Sequence, residues 1–308
     1  QRQMCIRDRG KHAYLIMAHN NFSLLQKELM LLDDERNDIF IHIDKNTKDV
    51  DFAYIMKKVR YSQVFFIPRM KIKWGGYSIA QCTINLLKAA MKEGSYQYYH
   101  LLSGADLPIK TQDEIHEFFQ REDGKEFVSF DQIQPREQDI RRVKRYYFFQ
   151  DRYGREYKRG KYFFLYLIDM ISLKVQDFFK VDRFKGQQIE LQKGPEWFSI
   201  THQLAKLVVE REEWIRKQFI HTRCCDEVFI QTVVNNSERK AYLYQNGLTR
   251  EVPACLRKID WGRGKPYTWT VKEYEELINS KCLFARKFDP SVDEEIISKL
   301  MEHLTQSV

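Results

Sequence analysis

"HAYLIMAHNNFSLLQKELMLLDDERNDIFIHID", residues 12–44, joins two continuous apolar runs through a segment of helical periodicity. Unbroken apolar runs of strand length suit strands buried on both faces, which is the habit of parallel sheets. A strand, a helix and a second strand joined by short turns close as a right-handed crossover. The pattern recurs downstream. "DFAYIMKKV" (51–59) reads as helix, "QVFFIP" (63–68) as strand, "YSIAQCTINLLKAAMKE" (77–93) as an amphipathic helix and "YQYYHLLS" (96–103) as strand. "TQDEIHEFFQ" (111–120) opens with a capping box, Thr111 with Glu114. The spacing predicts an α/β fold, a doubly wound and mainly parallel sheet with helices on both faces.

Such sheets bind ligands beyond the carboxyl ends of their strands. The expected ends are polar: His19-Asn20, His42-Ile43-Asp44-Lys45 and Ser103-Gly104-Ala105-Asp106. Each alone is ordinary loop chemistry, but three on one rim point to a site. Asp44 is suited to accept hydrogen bonds from a ribose or a base.

Farther along, "TRCCDEVFIQTVV" (222–234) sets Cys224, Cys225, Asp226 and Glu227 ahead of a helical run. Acids there can cap a helix, bind metal with the cysteines, or supply a base. Spacing alone leaves all three open. "GPEWFSITHQLAKLVVE" (194–210) reads as a strand followed by a helix capped at Thr201. "AYLYQNG" and "PACLRKIDW" read as extended, "TVKEYEELINS" as helix, "CLFARKF" as an edge strand, and 292–304 as a last helix.

Composition bounds the class. The chain has 308 residues, 43% hydrophobic and 14% aromatic, which suits a packed core and excludes disorder. Lys plus Arg outnumber Asp plus Glu by 51 to 43, so the net charge of +8 suits phosphate-bearing ligands or anionic surfaces. Six cysteines without regular spacing do not form a disulfide framework, and adjacent Cys224 and Cys225 lack zinc spacing. "QRQMCIRDRG" (1–10) reads as a leader, and 11–308 as a single domain. No signal peptide or membrane span is visible, so the expected setting is cytoplasmic, with at most peripheral membrane contact.

Residues 136–186 break the alternation and mix basic residues with aromatics. This insertion could bind acceptor, membrane or nucleic acid, and most of its aromatics are expected to pack as core. The phosphate cradles G-x-x-x-x-G-K-[ST] and G-x-G-x-x-G are absent, as is the G-x-S-x-G elbow. Asp49-Val50-Asp51 is a D-x-D, but it opens a helix instead of ending a buried strand. No metal is therefore expected. Basic segments around Arg257 and Lys287 could neutralise a diphosphate.

"HLLSGADLPIKT" (100–111), "GPEWFSIT" (194–201), "DEVFIQTVV" (226–234) and "LFARKFD" (283–289) occur in the order of one family. The chain resembles the core-2/I-branching β-1,6-N-acetylglucosaminyltransferases, a family that also holds peptide O-xylosyltransferases. The resemblance covers roughly residues 11–290 and is most specific in "SGADLPIKT" and "FARKFD". It implies a GT-A-like fold and inverting, metal-independent transfer from a UDP-sugar, with no cofactor. Glu227 then matches the catalytic base, Arg257 and Lys287 the cations on the diphosphate, and Asp44 the uracil contact. His19 and Asp106 join the donor side. Trp197, Arg141 and Arg145 join the acceptor side. Asp226 is expected to cap the helix while Glu227 faces the sugar, its basicity lowered by the helix dipole and restored by burial behind Trp197. The cysteine framework and membrane-anchored stem of animal Golgi members are not seen, so their acceptor is not carried over.

N-Acetylglucosamine moving to a saccharide, glycolipid or protein hydroxyl is the leading expectation. Xylosyl transfer to serine is the alternative. In another class, a basic module would bind anionic membrane or nucleic acid, with steep salt dependence and no UDP affinity. The enzyme reading expects no nucleic-acid partner.

Overall fold

The computed structural model describes residues 10–158, 160–249 and 252–306. Apart from Gly10 the expected leader lies outside them, as does Cys5. The strands are β1 (His12–Ala18), β2 (Asn37–Ile43), β3 (Gln63–Phe66), β4 (Tyr98–Ser103), β5 (Asp106–Pro108), β6 (Phe127–Val128), β7 (Phe198–Thr201), β8 (Arg257–Ile259) and β9 (Phe284–Arg286). The main sheet runs β3-β2-β1-β4-β7-β6. β1 pairs in parallel with β2 and β4, and β2 with β3. β7 is antiparallel to both neighbours.

Side chains alternate across β1 and β2, and each face buries its own cluster. Ala13, Leu15 and Phe40 pack with the helix Tyr77–Glu93, while Tyr14, Ile16, Ile39 and Ile41 pack with Phe22–Leu32 and Gln112–Arg121. The sheet is thus the expected doubly wound α/β arrangement. The capping box is present: Thr111 Oγ1 accepts from Glu114 N, and Glu114 Oε2 accepts from Thr111 N at 2.8 Å. The Tyr77–Glu93 helix is capped from outside, Asp151 accepting from Tyr77 N at 3.0 Å and Ser78 N at 3.1 Å. A β-carbon on Gly76 would lie 1.9 Å from Asp151 Oδ1, so only glycine lets that carboxylate in.

A second sheet runs β5-β9-β8. The expected edge strand "CLFARKF" is therefore its middle strand, because β5 and β8 both need a partner. "AYLYQNG", expected to be extended, forms 3₁₀ turns at Glu238–Tyr242 and Tyr244–Gly247.

The insertion folds as the helices Glu137–Lys144, Gln150–Tyr153 and Gly160–Phe178. The long helix turns Asp169, Leu173 and Gln176 inward. Asp169 accepts from Phe148 N at 3.0 Å, Phe149 N at 3.1 Å and Tyr153 Oη at 2.9 Å. The expectation that most of its aromatics are core holds only in part: Tyr147, Tyr153 and Phe184 are buried, whereas Phe148, Phe163, Phe164, Phe178 and Phe179 are exposed. Among the described residues no helix is long and apolar enough to cross a membrane.

Candidate active site

Because β7 runs against β4, its start lies on the same rim as the carboxyl ends of β1, β2 and β4. His19, Asp44, Ser103 to Asp106 and Trp197 therefore share one edge. His19 is exposed, and its carbonyl accepts from Thr47 Oγ1 at 2.9 Å. Asp44 is half-buried and accepts from Asn46 N at 2.9 Å.

Glu227 reaches the rim through a sharp turn. Cys224 is left-handed (φ 53°), with its N–H donating to Gly75 O at 2.7 Å. The 3₁₀ turn Cys225–Glu227 then leads into the helix Phe229–Asn235. Gly194 N donates to Glu227 O at 3.0 Å, tying the turn to the segment before β7. The Glu227 side chain is 37% exposed, and its Oε2 receives Arg142 Nη2 at 2.6 Å, with Lys193 Nζ at 3.9 Å.

Arg141 and Arg145 do not face this point. One helical turn apart, both grip Asp177 of the long helix, through Nε at 3.2 and 3.0 Å. They anchor the insertion, and Arg142, about 100° around the helix from Arg141, meets Glu227. Asp226 does not cap the helix, which has no side-chain cap. It is buried and hydrogen-bonded to Glu196. Burial pushes Asp226 up to about 6 and Glu196 well above the carboxylate range. The hydrogen bond between them makes the two carboxyls titrate as a pair.

Glu196 also feels Arg286, which opposes its rise, and Glu227, which adds to it. It thus brackets the cleft between an acid and a cation. Arg286 lies over the Trp197 ring at 4.4 Å and donates to Asp106 Oδ1 at 2.7 Å and to Ser103 Oγ. Asp106 also accepts from Ser103 N at 2.8 Å. It is buried beneath Arg286, so it orients a cation and cannot touch a nucleotide as expected. Lys287 follows directly, half-buried. Below them Glu28 is buried, and neither of its oxygens has a hydrogen-bond partner among the described residues. Burial, then Asp106, pushes its carboxyl well up.

Arg257 also departs from expectation. Its guanidinium is buried, donating to Ser199 Oγ and Phe198 O at 2.7 Å each and to Leu101 O at 3.2 Å. Burial brings it down to about 10. Its strand lies beside β9, but both its Nη groups donate inside the fold, and Arg286 takes the rim. Arg142, Glu196 and Arg286 all escape sequence reasoning. The helical period separating Arg142 from Arg141 was a readable signal for the first, and "EW" next to "DE" in space had none.

Asp51 of the D-x-D caps the helix Phe52–Met56, accepting from Tyr54 N at 2.9 Å. Among the described residues no group of three or more His, Cys, Asp or Glu is placed to hold a metal ion. Cys224 and Cys225 are buried free thiols against Gly75 and Gly76.

Most of the site's segments, those before β9, fall inside a wider similarity. The Core-2/I-Branching enzyme family matches residues 12–281. Xylosyltransferase 2 of Mus musculus is 23% identical over 314 residues, covering 95% of this chain and 33% of that protein. Xylosyltransferase 1 of Homo sapiens is 24% identical over 312 residues, covering 95% and 30%. The chain spans about a third of the length of these relatives. A solved structure of mouse xyloside xylosyltransferase 1 in its apo form aligns over 89% of this chain and 96% of that one. Its TM-score of 0.36 and 10% identity make that likeness too distant to bear on function. The match across the sheet, the rim and the Glu227 turn shows that this chain belongs to the Core-2/I-Branching enzyme family.

Proposed function

We propose that this chain transfers a glycosyl group from a UDP-sugar to a hydroxyl acceptor, with inversion and without a divalent metal. One observation carries the reading: a part-exposed carboxylate, Glu227, and a cation, Arg286, bracket the floor made by Glu196 and Trp197, and a second cation, Lys287, follows Arg286 in the chain. Glu227 takes the acceptor hydroxyl proton as the oxygen attacks the anomeric carbon. The bond from that carbon to the phosphate oxygen breaks, and its electron pair leaves with UDP. Arg286 and Lys287 receive the growing diphosphate charge, taking the place first expected for Arg257 with Lys287. Asp44 and His19 stand at the nucleoside end, and Arg142 with Lys193 holds Glu227 in place.

Among donors, a xylosyl group is favoured over N-acetylglucosamine, since the named relatives are xylosyltransferases. The acceptor class is a saccharide or protein hydroxyl. Donor turnover measured with UDP-xylose beside UDP-N-acetylglucosamine tests the choice. Turnover of the acetylamino sugar alone restores the first expectation, and turnover of neither with any acceptor overturns the proposal.

A further inference from the structure

The helix Gly160–Phe178 carries an apolar stripe that none of the described residues covers. At about 100° per residue, Phe164, Ile168, Ile171, Val175 and Phe178 fall within an arc of about 80°. All are exposed, Phe164 by 68% and Phe178 by 81%. Packing cannot hide them, because the opposite face is committed inward through Asp169, Leu173 and Gln176. Contiguous exposed apolar surface on this scale marks a place of contact.

Charge selects what makes the contact. Lys161 and Lys174, both exposed, lie on the two flanks of the stripe. The acids of the helix are turned away: Asp169 is buried under Phe148 and Phe149, and Asp177 is paired with Arg141 and Arg145. The rim of the patch is therefore cationic. A second copy laid on the stripe would set lysines against lysines. A bilayer with anionic headgroups meets both requirements, taking the apolar side chains below the headgroups and the lysines among them.

We propose that this helix docks the protein flat on an anionic lipid surface. The inward-facing residues keep the helix on the protein, so it lies in the interface and does not insert across it. The long helix is clamped through Asp177 to the helix bearing Arg142, so docking places the Glu227 side of the molecule one helix away from the headgroups.

Sedimentation with vesicles of phosphatidylglycerol and phosphatidylcholine tests this without any measurement of sugar transfer. The unaltered protein should pellet with mixed vesicles and stay in solution with pure phosphatidylcholine. Ile171→Asp with Phe178→Asp should lose binding at least about tenfold, and a thermal melt checks that the fold is kept. Lys161→Gln and Lys174→Gln should each weaken it roughly fivefold. Failure to pellet overturns the proposal, as does equal binding to neutral vesicles or unchanged binding by the aspartate variant. A dimer in solution that Ile171→Asp dissociates would also overturn it, showing that a second copy covers the stripe.

Discussion

Arg257 and Arg286 call for opposite experiments. Arg257 donates only to Ser199 and to backbone carbonyls inside the fold. Arg257→Ala should therefore cost stability, about 1–3 kcal/mol for each acceptor left unpaired. Arg286→Lys, which keeps a cation over the buried Asp106, should hold the melting temperature close to that of the unaltered protein and weaken UDP binding, read by calorimetry. If Arg257→Ala melts normally but no longer binds UDP, the first assignment of the diphosphate cations was right. Glu227→Gln should bind UDP as before and lose about 10²–10⁴-fold in transfer. Glu227 could be found from "DEVFIQTVV" because the family motif is short, ordered and local. Which cation faces the rim could not, because it depends on how far along each other two strands pair, and that pairing is set far away in the chain. Arg257 and Arg286 sit two strand positions out of register, β8 residue 257 opposite Phe284 of β9, and only the sheet reveals that.

The pair Glu196 and Asp226 gives the turn before the Phe229–Asn235 helix its own pH response. Both carboxyls sit above their unfolded values, so the folded state holds protons that the unfolded chain would release. The stability they lend is full at low pH and is lost as pH rises from near 3.8 through about 6 for Asp226, and further as Glu196 follows. Glu196→Gln keeps a donor to Asp226 and removes one of the titrating acids. Its melting temperature should exceed that of the unaltered protein at pH 8 and approach it at pH 5. Parallel melting curves across that range would exclude a shared proton. At this scale the strands and helices of the first half were readable, since burial on both sheet faces writes itself as apolar runs. The insertion was not. Its aromatics follow helical spacing whether the stripe faces core or solvent, and the deciding contact, Asp177 with Arg141 and Arg145, joins residues 36 and 32 positions apart.

For the molecule as a whole, UDP should raise thermal stability, by about 2.7 kcal/mol at one hundred times its dissociation constant. EDTA should leave transfer unchanged, and a loss that Mn²⁺ restores would refute the metal-free mechanism. Glu28 leads to one more property. Its acid group is buried at the foot of the rim, near Asp106 and Arg286, and among the described residues no donor steadies a negative charge there. Alkali must eventually strip that proton, and the anion formed would either draw Arg286 down from its indole or force water into the core. The protein therefore has a built-in basic ceiling, one that Glu28→Gln should lift without altering the surface a substrate meets.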